Sequence, residues 1–234
     1  MYNLKNWYIF LQLISLINIF LLIKFDVNNI YIIIYALCCI YRSLNLAIYD
    51  KRYIIHNIYY YNIFTNRLIA TIGELCCGFQ LYLLFNKFNN ILINQYSIYI
   101  FIISIISNIL CWIGILTTNQ LYHILEETGW TLIGILILYF SLILTLNDKK
   151  YSIYLILALI YVLYMIYYDI PSIKKKYLKD INNNKKYLSL NKGFKDMFIC
   201  NINHDYNEWK DDLVWQTLYY SFGVWILILS NINL

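Results

Sequence analysis

The stretch from Arg67 to Gln80, RLIATIGELCCGFQ, decides how the rest of this chain is read. It sets a carboxylate, Glu74, inside an apolar run that belongs to a membrane-crossing helix. At 3.6 residues per turn Arg67, Thr71, Glu74 and Gly78 share one face, while Leu68, Ile72, Leu75 and Phe79 turn elsewhere. Ionisable groups are expensive in hydrocarbon, so such a face requires neighbouring helices that supply partners. The fold class that provides them is all-α, a polytopic transmembrane helix bundle.

Composition points the same way. Of 234 residues 61% are hydrophobic and 13% charged, with one proline, which lies outside the range of soluble globular domains. Seven apolar runs approach the ~20 residues that cross a bilayer. They cover about 7–24, 28–48, 67–87, 91–117, 120–147, 151–169 and 212–231, and residues 1–234 read as a single integral membrane domain. The second run continues past Tyr41 only by taking in Arg42 and Asn45. The first carries an early Lys5 and no small residues at a cleavage position, so it reads as an uncleaved span. Segment 53–65 is too short and polar to cross and predicts an amphipathic, tyrosine-bearing helix along the interface. No broken helix or internal repeat is visible.

Charge sets an orientation. Under seven spans the amino-terminal side holds Lys5, Arg42, Lys51, Arg52, Arg67 and nine lysines of the loop 170–211, fourteen cations in all. The other side holds four: Lys24, Lys87, Lys149 and Lys150. The positive-inside rule then puts the amino terminus and the basic loop in the cytosol. The lysines from Lys174 to Lys195 read as a solvated face for anionic lipid headgroups, with no nucleic-acid role. The bilayer is the expected partner, and protein partners stay open.

Polar residues within the spans crowd toward that same side. Glu74 lies seven residues in from Arg67, roughly 10 Å deep at 1.5 Å per residue. The fourth span brings Asn108, Trp112 and Asn119 there, and the turn Thr117-Thr118-Asn119-Gln120 feeds a fifth span whose His123, Glu127, Trp130 and Gly134 share a face, with Glu126 at its edge. Asp169 closes the sixth span, and Asp212, Trp215 and Gln216 open the seventh. Acids in a first helical turn also complement the helix dipole, which is the plainer reading of Glu126. The candidates for a ligand or ion pathway are therefore Arg67, Glu74, Asn108, Asn119, His123, Glu126, Glu127, Trp130, Asp212, Trp215 and Gln216. Glu74 is expected to pair with Arg67 or Arg42 and to be faced by Glu127, Asn108 and Gln216.

Known chemistries find little support. The zinc-protease signature needs two histidines at helical spacing beside a glutamate, and only His56, His123 and His204 exist. The six cysteines, two vicinal pairs with Cys111 and Cys200, lack metal-type spacing and read as polarizable core residues. No cysteine and histidine pair, phosphate loop or nucleophile elbow is apparent, so no metal, cofactor or catalytic residue is assigned. The last span has no lysine for a retinal Schiff base.

Three blocks resemble those of a family of multi-pass membrane proteins to which no activity is attached. They are Arg42-Ser43 with Asn66-Arg67-x-x-Ala70-Thr71-x-x-Glu74-Leu75-Cys76; Cys111-Trp112 through Leu116-Thr117-Thr118-Asn119 to Glu126-Glu127-x-x-Trp130; and Trp209-x-Asp211-Asp212-x-x-Trp215 through Tyr220-Ser221-Phe222-x-Val224-Trp225. The resemblance implies a recurring polar cluster but no substrate, and this chain departs from it at Leu44-Asn45, where a proline is expected after Arg42-Ser43. The plainest reading of the polar cluster is interhelical adhesion, and binding or transport of a small ligand or ion leads the functional readings. A structural subunit of a membrane complex and an interfacial membrane enzyme stand beside it.

Overall fold

The computed structural model describes residues 4–56 and 60–232. The chain is an all-α helix bundle, 79% helical. Six helical segments among the described residues are long and apolar enough to cross a membrane: Leu4–Lys24, Ile63–Asn86, Ile91–Thr117, Gln120–Asn147, Lys149–Asn182 and Leu213–Asn231. This is an integral membrane protein. Its spans carry outward apolar side chains such as Leu16, Ile109 and Leu132, each 48% exposed or more, on surfaces that lipid covers.

Helix α1 is Leu4–Lys24, α2 Ile30–Leu44, α3 Ile63–Asn86, α4 Ile91–Thr117 and α5 Gln120–Asn147. Asparagines start several of them. The side chains of Asn29, Asn90 and Asn119 each accept from backbone N–H groups in the first turn that follows, which satisfies donors the helix leaves open. Asn62 and Thr65 cap α3 reciprocally, Thr65 N donating to Asn62 Oδ1 at 2.9 Å and Asn62 N to Thr65 Oγ1 at 3.1 Å.

Two expectations change here. The second run is helical for only 15 residues, because its C-cap Asn45 turns the chain into strand β1, Ala47–Ile48. Segment 53–65 is not an interfacial helix. It opens as strand β2, Tyr53–Ile54, antiparallel to β1 and parallel to β3, Asn201–Ile202, while 57–59 lie outside the described residues and α3 starts at Ile63. The reason is that a short polar helix is marginal by itself, whereas Tyr53 and Ile54 find pairing partners on both sides. Arg52, with φ 55°, makes the turn and donates from Nη1 to Tyr49 O at 2.7 Å. Burial lowers its guanidinium pKa, an effect that Asp196, Cys200 and Asp50 oppose.

The remaining elements are a 3-10 turn Lys149–Tyr151, α6 Ser152–Tyr164, a π turn Met165–Asp169, α7 Ile170–Asn182, α8 Leu190–Asp196, α9 Tyr206–Trp209, α10 Leu213–Tyr220 and α11 Phe222–Ile232. Among the described residues, helix irregularities not visible in the sequence include the π turn in the sixth segment and Ser221, with φ −104° and ψ −80°, in the last. Ser221 Oγ donates to Thr217 O at 2.6 Å, a back-bond that bends helices.

Contacts divide the chain into two compact units, residues 1–80 with 191–234 and residues 81–190. In the first, Leu11, Ile14, Ile32, Tyr35, Ala36, Val224, Leu227 and Ile228 form the buried interior. Asn18 stitches it, donating to Tyr220 O at 2.8 Å and accepting from Trp225 Nε1 at 2.8 Å. The second packs Leu84, Phe85, Ile93, Ile100, Ile133, Phe140 and Leu144 together, with Trp130 against them. There α4 and α5 approach closely through small residues, as membrane helices do. A Cβ at Gly129 would stand 2.1 Å from Ser107 Oγ, and one at Gly114 3.0 Å from His123 Nε2.

Candidate functional site

The first unit buries an arginine-rich network around Glu74. Arg67 grips it as a two-pronged fork, Nη1 to Oε1 at 3.2 Å and Nη2 to Oε2 at 2.8 Å, seven residues back along α3. This is the geometry that matches guanidinium to carboxylate. Arg42 comes from the last turn of α2, with Nη1 3.8 Å from Glu74 Oε1 and Nη2 donating to Tyr49 Oη at 3.1 Å. Its guanidinium carbon lies 5.0 Å from the Tyr219 ring centre and 5.7 Å from that of Tyr220, so α10 meets the cation with two aromatic rings. Tyr219 Oη reaches Glu74 Oε1 at 3.4 Å.

The network extends through Tyr49 Oη, which donates to Asn66 Oδ1 at 2.6 Å, and through Asn66 Nδ2, which donates to Asn45 O at 2.8 Å. Tyr61 Oη donates to that same carbonyl. Both arginines are 2% exposed and Glu74 6%. Two cations therefore stand against one carboxylate. Arg42 Nε and Nη1 have no hydrogen-bond acceptor among the described residues, and neither does Gln216 Oε1 have a donor, one turn before Tyr219 and Tyr220. A buried polar atom left without a partner costs about 1–3 kcal/mol in water-soluble proteins.

Of the other candidates in this unit, Asp212 accepts from Trp215 Nε1 at 3.2 Å at the head of α10. A separate cavity of about 350 Å³ is lined by Leu4, Lys5, Tyr8, Ile55, His56 and His204, none of which belongs to the Arg42 network. His204 Nε2 is 2.8 Å from Ile55 O, and the Tyr8 ring meets His56 edge-on at 5.1 Å.

The second unit holds the remaining candidates and is acid-rich. The turn between α4 and α5 is two residues long. Thr118 takes a left-handed conformation at φ 56° and Asn119 caps α5, its side chain accepting from Leu121 N at 3.0 Å. Asn119 thus has a structural task. Asn108 is 3% exposed and donates to Ser104 O at 3.0 Å. Just past the turn, His123 Nδ1 meets Glu126 Oε2 at 2.9 Å, with Glu126 5% exposed, so this acid does more than complement a helix dipole. Cys111, 2% exposed, joins them from α4: one ligand-type atom from each of Cys111, His123 and Glu126 lies within 4.8 Å of the others. Glu127 is half-buried and acts electrostatically on the Tyr164 hydroxyl together with Asp169, which the π turn leaves 8% exposed.

The sequence reading named Glu74, Arg67, His123 and Glu126, and the structure gives each a short polar partner. It named Arg42 as an alternative partner of Glu74, though not among the pathway candidates, and did not single out Tyr49, Asn66 or Cys111. One signal was available for Cys111. In an antiparallel hairpin with a two-residue turn, positions within about one helical turn of each other in depth can meet, and Cys111 stands seven residues before Thr118 and His123 four after Asn119. No protein-family model, curated protein or solved structure matches the chain.

Proposed function

We propose that this membrane protein binds a small anionic ligand at the Arg42–Arg67–Glu74 network and serves as a binding or transport protein. The observation that carries the reading is the charge balance. One carboxylate answers two buried guanidiniums, and Arg42 keeps Nε and Nη1 without a hydrogen-bond acceptor although its side chain is 3% exposed. Ionisable groups inside membrane segments mark substrate or ion pathways, and a guanidinium that keeps two N–H donors open selects for a carboxylate, a phosphate or a halide. The interruption at Ser221 supports the same reading, since it follows directly on the two tyrosines that flank Arg42 and helix breaks accompany ligand sites in transporters.

In this proposal the lysines from Lys174 to Lys195 face the cytosol against anionic headgroups, and the amino terminus lies on that same side where the 15-residue α2 is counted as a seventh crossing. The likeness of three sequence blocks to a multi-pass family accords with a shared cluster.

The test is thermal unfolding of detergent-purified protein in acetate, inorganic phosphate and chloride, repeated with Arg42→Gln, which leaves the Arg67–Glu74 pair in place. At least one anion is expected to raise the melting temperature of the wild-type protein and to lose that effect in the variant. If none does, or if Arg42→Gln responds equally, no anion is held there and a structural subunit becomes the better reading. Uptake of the active anion into proteoliposomes then separates transport from binding.

A further inference from the structure

The α4–α5 hairpin brings together three side chains that the sequence keeps apart, a thiol, an imidazole and a carboxylate. We infer that Cys111, His123 and Glu126 form a site for a single divalent transition-metal ion of the zinc class, distinct from the arginine network. Ligand-type atoms of the three lie within 4.8 Å of one another, and the imidazole Nδ1 is already 2.9 Å from Glu126 Oε2. Around a tetrahedral ion with bonds of ~2.0–2.3 Å, ligand atoms sit roughly 3.3–3.6 Å apart. The observed spread exceeds that by little more than about 1 Å.

The donor set selects the ion. One sulfur, one ring nitrogen and one carboxylate oxygen suit zinc and its analogues, whereas magnesium and calcium require oxygen ligands. Charge supports the same choice. A thiolate, a carboxylate and a neutral imidazole around a dication sum to zero, which a buried position near the end of a membrane helix tolerates far better than a bare ion pair. The hairpin is also shaped for it. Gly114, one turn beyond Cys111, leaves space that a Cβ would take 3.0 Å from His123 Nε2, so the imidazole lies flat against α4. Three protein ligands leave a fourth position for water or a further ligand, as in zinc sites that are not purely structural.

Binding converts the Cys111 thiol to a thiolate and releases its proton to solvent, so affinity rises with pH while the free thiol is protonated. The experiment is titration of detergent-purified full-length protein with Co²⁺, followed by displacement with Zn²⁺. One Co²⁺ per chain is expected, with a thiolate-to-cobalt charge-transfer band that zinc abolishes. Cys111→Ser removes the band, while Cys76→Ser and Cys200→Ser, outside the site, keep it. His123→Gln and Glu126→Gln each weaken binding by more than the ~10–100-fold that a disturbed surrounding shell costs. Zinc also protects Cys111 from alkylation in the unmutated protein, a readout that does not depend on any variant folding. Absence of the band, its survival in Cys111→Ser, or unprotected alkylation of Cys111 at saturating zinc overturns the inference.

Discussion

The two units bury charge in opposite balance. In the first, two guanidiniums enclose one carboxylate and are flanked by aromatic rings. In the second, Glu126 meets a neutral-or-charged imidazole, a thiol stands beside them, and Glu127 and Asp169 share the surroundings of Tyr164. The same rule governs both, that a buried charge needs a partner, but the surplus is cationic in one and acidic in the other. A surplus of guanidinium invites an anion; a surplus of thiol and carboxylate invites a cation. The contrast is the ground for proposing a binding protein over helix-to-helix adhesion, for which balanced pairs would serve.

The contrast breaks first at Glu74. Replacing it with Leu strands two guanidiniums, and the expected loss is about 3–5 kcal/mol of stability, read as a collapse of the melting temperature in detergent. A loss under ~1 kcal/mol would mean that water already reaches the pair and that the cationic surplus is not buried. Next comes the α4–α5 contact. Gly129→Ala drives a methyl against Ser107 Oγ and is expected to cost about 1–3 kcal/mol, most of it restored by Ser107→Ala in the same chain. If the double variant is no better than the single, the helices do not meet at that point and the hairpin that assembles Cys111 and His123 is misplaced.

Smaller effects sharpen the picture. Arg42→Lys keeps the charge but loses the planar fork between the tyrosine rings, and about 1–2 kcal/mol is expected. Equal stability of the two forms would make Arg42 a point charge only. The smallest effect is a pH slope at Cys200, between α8 and β3. Burial pushes this thiol above its usual range, against the opposing influence of the Ile63 backbone N–H and Arg52. A thiol raised in the folded state favours folding below its unfolded pKa, and that contribution is lost as pH rises through the folded value. Stability of the wild-type protein should therefore fall slightly more steeply above the ordinary thiol range than that of Cys200→Ser. Superimposable pH profiles would place Cys200 in solvent.

How far the sequence could be read follows from which forces are local. Glu74 in an apolar run demanded an interior, and the seven-residue step back to Arg67 placed a base on the same helical face; the fork between them was legible because both ends lie on α3. Arg42 was named only as the alternative to Arg67; that both meet Glu74 depends on how α2 packs, which nothing in the spacing of 42 and 74 encodes. The strand at Tyr53–Ile54 was read as helix since its partners lie at 47–48 and 201–202, the latter far along the chain. Ser221 and the π turn hold no proline or glycine themselves, and Pro171 and Gly223, two residues past each, do not by their positions say where the helix departs from regularity.

Apolar length and the cost of bare backbone in lipid were enough for the sequence by itself to determine a helical membrane protein with a polar interior. Helix packing decided which polar groups of different helices meet. It set Arg42 over Glu74 and Cys111 beside His123, because contacts between segments distant in sequence depend on side-chain shape across helix faces, which periodicity does not record.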